Sequence, residues 1–160
     1  MCGDELIDID VQINNISLEK HIEVHKGKFT SLRNQSINEL TDDFINFKNK
    51  YFLKKIVISE EVEKAIVKLD KAIRKAALTI LYDLETENRV IDDYNYSDES
   101  DSVKQDPNLK KERCFTVDGK KEYVFLHLKN LPSSNRIYFK EKDKKIYICY
   151  IGKHLSTKKF

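Results

Sequence analysis

The feature that most constrains how this chain can fold is Asp118-Gly119, set between the apolar-rich runs Phe115-Thr-Val117 and Tyr123–Lys129. The favoured two-residue hairpin turn holds both central residues at positive φ, and Asp-Gly tolerates this at little steric cost. Downstream the pattern repeats. Leu131-Pro-Ser-Ser-Asn135 predicts a second turn, Arg136–Lys140 a third strand, and Lys142-Asp-Lys144 a third turn. Lys145–Ile151 is the most apolar strand, so it is expected at the sheet centre with both faces covered.

Helical signals precede these strands. Tyr51–Ile58 reads as a strand, and Ser59 is placed to cap a helix whose first turn carries Glu60, Glu61 and Glu63. Val62, Ala65, Ile66 and Leu69 form its apolar stripe. Asp70 is placed to cap a second helix, striped by Ile73, Ala76, Ala77, Ile80, Leu81 and Leu84. Periodicity equally permits one helix of about 25 residues, because no glycine or proline interrupts it. Strand, helices and then a meander imply an α+β fold with the helices packed on one face of an antiparallel sheet. Upstream, Leu6–Ile16 alternates like a strand, and Ser36–Phe47 is helical in pattern, with Ile37, Leu40, Phe44 and Ile45 on one side. Residues 86–110 are rich in acidic, serine and asparagine residues, which predicts a mobile linker or loop. The expected organisation is an N-terminal extension over residues 1–50, of unassigned role, and one domain over residues 51–160 containing that flexible acidic segment.

The net charge of +2 conceals a division. Residues 83–106 hold nine acidic and two basic residues, whereas residues 107–160 hold fourteen basic and five acidic, or +9. Such a basic segment points to a polyanionic partner. The three cysteines, Cys2, Cys114 and Cys149, form no C-x-x-C pair, which argues against a zinc site built on closely spaced cysteines. His21 and His25 could share a helix face, but no third ligand accompanies them and no glutamate follows His21 as in zinc proteases. No metal or cofactor is expected. Without a signal-peptide core or a long uncharged apolar stretch, the chain is expected to be cytoplasmic and not bound to a membrane.

Side chains alternate across a strand, so Val124, Leu126 and Leu128 are assigned to the core face of Tyr123–Lys129. Tyr123, Phe125, His127 and Lys129 then share the opposite face. Arg136, Tyr138 and Lys140 share one parity in the next strand, and pairing through the Pro132 turn would bring His127, Lys129 and Arg136 together. His154 follows the last strand. Cleavage of RNA through its 2′-hydroxyl needs a base, cations for the crowded phosphorane and an acid for the departing 5′-oxygen. Histidine titrates near neutrality and arginine can hold two phosphate oxygens, so this set has the required chemistry.

The run Val57-Ile-Ser-Glu-Glu-Val-Glu-Lys-Ala-Ile-Val-Lys-Leu69, continued by Asp70-Lys-Ala-Ile-Arg-Lys-Ala-Ala-Leu-Thr-Ile-Leu81, resembles the paired N-terminal helices of RelE-type toxins in the RelE/ParE superfamily. In that family a Lys-Leu-Asp step begins the second helix, and Lys68-Leu69-Asp70 supplies it, which decides for a helical hairpin. His127-Leu-Lys-Asn-Leu-Pro-Ser-Ser-Asn-Arg-Ile-Tyr-Phe139 resembles the family's two basic residues on one strand and the arginine opening the next. Lys145-Ile-Tyr-Ile-Cys-Tyr-Ile-Gly-Lys-His154 resembles its final strand and the basic residue beyond it. The similarity spans residues 51–160.

The resemblance implies a metal-independent endoribonuclease that cleaves mRNA on the ribosome and is held in check by an antitoxin protein. His127 and Lys129 stand where paired lysines often stand, Arg136 matches the arginine that contacts the scissile phosphate, and His154 takes the place of a C-terminal arginine or histidine. Arg74, Tyr138, Lys153, Lys158 and Lys159 are expected to contact the RNA. Phe160 ends near where some members place an aromatic hydroxyl. Phenylalanine has no proton to give, so the acid role falls to His154 or His127, with the base assignment equally open between them. The alternative on the same fold is a non-catalytic binding protein, either a gyrase-poisoning toxin of the ParE kind or an inactive regulatory module. ParE-like relatives commonly lack this basic and histidine set.

Overall fold

The structure is a computed structural model that describes residues 19–158. The strand expected over Leu6–Ile16, the His21 side chain, Lys159 and Phe160 lie outside the described residues. Among the described residues the chain divides into two units after Asn34, within helix α1 (Glu19–Asp42). In the first unit Val24, Phe29 and Leu32 are exposed. The second unit takes in residues 35–50, which the sequence assigned to the extension. Among the described residues no helix is long and apolar enough to cross a membrane.

The helix expected over residues 36–47 is broken at Asp43, whose carboxylate accepts the Asn46 N–H and starts α2 (Phe44–Tyr51). Ile37, Leu40 and Phe44 are buried as expected, whereas Ile45 is exposed. The expected strand from Tyr51 shrinks to β1 (Ile56–Ile58). The residues before it are claimed by a side chain distant in sequence. Glu85 accepts the N–H groups of Leu53 and Lys54 on Oε1, at 3.0 and 2.6 Å, and those of Lys55 and Ile56 on Oε2, at 3.0 and 2.8 Å. One buried carboxylate thereby satisfies four donors that would otherwise need strand or water partners. Glu85→Gln should lower stability by about 2–3 kcal/mol, because an amide has one acceptor oxygen and turns a donor toward the remaining N–H groups. An unchanged urea midpoint would count against this role.

Helices α3 (Glu60–Lys68) and α4 (Lys71–Glu85) form the expected hairpin. Ser59 Oγ caps the first through the Val62 N–H, and Asp70 Oδ1 caps the second through the Ala72 N–H. Residues 86–110, expected as a linker or loop, instead carry a short 3-10 turn (Ile91–Asp93), β2 (Tyr96–Ser97), α5 (Asp101–Gln105) and α6 (Pro107–Lys111). Ile91, Tyr94, Glu99 and Val103 are buried there, at spacings that fit neither helical nor strand period.

Strands β3 (Cys114–Val117) and β4 (Lys120–Tyr123) form the expected hairpin, with Asp118 and Gly119 at φ of 50° and 75°. They make a separate two-stranded sheet. The main sheet adds β5 (His127–Leu128), β6 (Asn135–Lys142) and β7 (Lys145–Lys153), in the order β1-β7-β6-β5-β2. The β6–β7 turn holds Asp143 and Lys144 at positive φ, as the short polar turn predicted. The sheet is mixed rather than antiparallel, because β1 lies parallel to β7, with Ile56, Val57 and Ile58 opposite Ile146, Tyr147 and Ile148.

The strand expected over Tyr123–Lys129 is also interrupted. The Val124 N–H binds the Arg113 carbonyl while the Phe139 N–H binds the Leu126 carbonyl, so the chain crosses here from the small sheet to the large one. Val124 accordingly packs on the opposite side of the main sheet from Leu128. On the helix side, Ile66, Leu78 and Leu81 pack against Ile137, Ile148 and Ile151. On the other side, Val117, Val124 and Tyr138 meet Phe115, Tyr147 and Cys149. Strand β7 is thus covered on both faces, as its composition required, but it lies between β1 and β6, and β6 takes the middle of the sheet.

Candidate functional site

Sheet register brings the histidines together. His127 is paired with Ser97 of β2 on one side and with Tyr138 of β6 on the other. Arg136 lies opposite Gly152, so the chain leaving β7 carries His154 past the same end of the sheet. The His154 N–H binds the Ser134 carbonyl at 3.1 Å. The His154 ring sits edge-on to that of His127, with centroids 5.2 Å apart, and 6.4 Å from that of Tyr138.

Behind these rings is a group that sequence patterning missed. Glu99 is buried, and its Oε1 accepts the Tyr138 hydroxyl at 2.6 Å and Arg113 Nε at 2.8 Å. Arg113 is fully buried, and its other nitrogens bind the carbonyls of Leu109 and Ser156. His154 Nε2 lies 4.0 Å from the same Glu99 oxygen. Nothing in Ser97-Asp-Glu-Ser-Asp101 distinguishes Glu99 from its acidic neighbours. Arg113 had a weak signal: only five of the 29 basic residues are arginine, the type suited to buried multidentate pairing.

The two histidines differ in access. His127 is 3% exposed, with Nδ1 facing the Phe125 carbonyl at 3.1 Å and Nε2 facing Ser97 Oγ at 3.3 Å. Those partners fit a neutral ring that donates from Nδ1 and accepts at Nε2. The side chain of His154 is 29% exposed. Burial holds His127 below the ordinary imidazole value, opposed by its bond to Phe125 and by the Glu99 charge. Burial also lowers His154; Glu99 opposes this, while Arg136, Arg113 and Lys129 add to it. Burial and the bond to Glu99 push the Tyr138 phenol well above its usual range.

A pH dependence of stability follows. An unfolded histidine titrates near about 6.5, and folded His127 titrates lower. As pH falls below about 6.5 the unfolded chain binds more protons than the folded one, so stability present above that pH is progressively lost. Urea midpoints should therefore fall from pH 7.5 to 5, with a shallower slope in His127→Gln. Equal slopes would show that His127 is not the group being titrated.

The structure gathers His127, Tyr138, Arg136 and His154, and it places the Lys129 charge where His154 feels it. Arg136 is half-buried; Nη1 binds its neighbour's carbonyl, and buried Nε has no hydrogen-bond partner among the described residues. The remaining expected residues are placed as follows. His127 and Tyr138 are too deeply buried to meet a polymer, because each fills a position walled by neighbouring strands. Arg74 belongs to the helix layer, where its guanidinium binds the Val67 carbonyl. Lys153 Nζ binds the Ser133 carbonyl, and Lys158 is exposed.

The ligand atoms of Glu99, His127 and His154 lie within 4.8 Å of one another, close enough to be drawn onto a metal ion. The Glu99 charge is already met by Arg113 at 2.7 Å, so a dication there would face a buried guanidinium. The arrangement is better suited to proton transfer beside an anion: an accessible imidazole, a carboxylate behind it, and the charge of half-buried Arg136 nearby. No protein family, curated protein or solved structure matches the chain.

Proposed function

We propose that this chain is a RelE-like endoribonuclease that cleaves mRNA on the ribosome without a metal ion. The observation that carries the reading is accessible His154 lying in the field of half-buried Arg136, with Glu99 behind it. A phosphate between them would receive donors from Arg136, while neutral His154 takes the proton from the 2′-hydroxyl. The 2′-oxygen then bonds to phosphorus, the bond to the 5′-oxygen breaks, and that oxygen takes its proton from solvent water, to which His154 later returns its own. Glu99 steadies the imidazolium formed in the first step, at 4.0 Å from its nitrogen. Lys129 and the other basic residues bind flanking phosphates, and an antitoxin protein would be expected to restrain the enzyme.

A purified translation system with mapped mRNA ends tests this. The products should carry 2′,3′-cyclic phosphate or its opened form at one end and a 5′-hydroxyl at the other. Cleavage should persist with a chelator in buffers that keep ribosomes intact. Products with 5′-phosphate ends would mean attack by water and defeat the mechanism. The burial of His127 and Tyr138 favours a second reading, a non-catalytic binding protein on the same fold, which includes a gyrase-poisoning toxin. Intact mRNA alongside inhibited gyrase would establish it.

A further inference from the structure

Away from the histidines, Tyr123 ends β4 and Phe125 follows two residues later in the crossing between the sheets. Their rings are parallel within 3°, with centroids 6.2 Å apart. Val124 between them is buried, and its N–H is tied to the Arg113 carbonyl, which fixes the backbone beneath the pair. Tyr123 is 48% exposed. Packing therefore does not account for the solvent-facing part of this large aromatic side chain.

Ammonium groups accompany the rings. Lys110 Nζ stands 4.5 Å from the Tyr123 centroid and Lys104 Nζ 5.6 Å from that of Phe125. Lys104 is also paired with Asp98, and nearby Lys140 with Glu122. Lys110 has no carboxylate partner among the described residues, and Lys111 and Lys121 are exposed. A groove lined by Asp98, Phe125, Leu126, Phe139 and Lys140 runs alongside.

We propose that Tyr123 and Phe125 are a stacking platform for the bases of single-stranded RNA, with Lys110 holding the adjoining phosphate. The inference rests on the reading of this chain as an RNA-cleaving protein and locates where the strand is gripped away from the bond that breaks. A nucleic-acid base offers a flat face whatever its identity, and stacking on an aromatic side chain requires that face to be free, as it is in a single strand. Cores of protein interfaces are depleted in lysine, so rings flanked by ammonium groups fit a polyanion better than a protein surface. The platform is linked to the histidines through the Phe125 carbonyl, which His127 engages.

The test is fluorescence anisotropy of the full chain with labelled twelve-nucleotide oligouridine and oligoadenosine, and with an abasic phosphodiester of equal length. A His154→Ala background keeps the RNA intact during titration. Both RNAs should bind more tightly than the abasic strand. Tyr123→Leu with Phe125→Leu should weaken RNA binding by about 10- to 100-fold, the range expected for lost base stacking. The abasic affinity should stay unchanged, and Tyr123→Phe should bind like the parent. If the double variant fails to fold, judged by its urea transition, Tyr123→Leu alone carries the test, since about half of that residue is exposed. Equal RNA affinity in parent and folded variant would overturn the proposal and assign the rings to a protein partner. Equal affinity for RNA and abasic strand, or no RNA binding at all, would also overturn it. Platform-dependent binding with intact mRNA when the histidine-intact chain is added to the purified translation system would uphold this inference while defeating the endoribonuclease reading.

Discussion

Replacing Arg113 by methionine should remove about 3–5 kcal/mol of stability, because it strands Glu99 as a buried charge without its cation. Arg113 touches three separate stretches of chain: Glu99, the Leu109 carbonyl and the Ser156 carbonyl. Methionine supplies similar bulk and none of the donors. Adding Glu99→Gln to Arg113→Met should recover much of the loss, since the amide is neutral and its oxygen can still accept the Tyr138 hydroxyl. Urea denaturation of both single variants and the double variant would measure the coupling. A single variant with the parent's midpoint would show that the pair is not a structural requirement.

The other large effect is on rate. Arg136→Ala should reduce cleavage by roughly 10²–10³-fold, the usual consequence of losing a donor aimed at developing negative charge. Ribosome affinity should change much less, because it draws on many phosphate contacts, each screened by salt. His154→Ala should abolish the acid limb of the pH–rate profile. That limb is expected below about 6.5, the ordinary histidine value, since burial lowers the pKa of His154 and the neutral base is the active form. A His127 variant should retain the limb, as that ring is walled off from substrate. Full cleavage by a variant lacking both Arg136 and His154 would place the chemistry elsewhere.

Local signals were the legible ones. Asp118-Gly119, the Lys142–Lys144 turn, and the caps at Ser59 and Asp70 depend on backbone geometry within a few residues, and each is found where its chemistry predicts. The apolar run of β7 likewise announces a strand buried on both faces. What stayed hidden depends on partners far along the chain. Tyr51–Lys55 has strand-like composition, but Tyr51 completes a helix, Phe52 caps it, and Leu53, Lys54 and Lys55 donate to Glu85. The acidic stretch over 86–110 reads as solvent-facing, yet Glu99 turns inward because Arg113 is there to meet it. In the candidate site, His127, Arg136 and His154 were all nameable from type and order. Which of them faces solvent was not, because strict alternation fails where the backbone crosses between sheets at Val124–Leu126.

The parallel pairing of β1 with β7 has a consequence for biogenesis. Synthesis runs from the N-terminus, so β1, α3 and α4 emerge well before their sheet partner exists. Until residues 135–153 have been made, Ile66, Leu78 and Leu81 have no strands to cover, and the edge of β1 has no neighbour. Closing so long a loop must come before the contacts that reward it, which delays the native state until the β6–β7 hairpin is complete. The same late hairpin carries Arg136 and leads directly into His154. A nascent chain would therefore acquire Arg136, His154 and its stable core in a single late event.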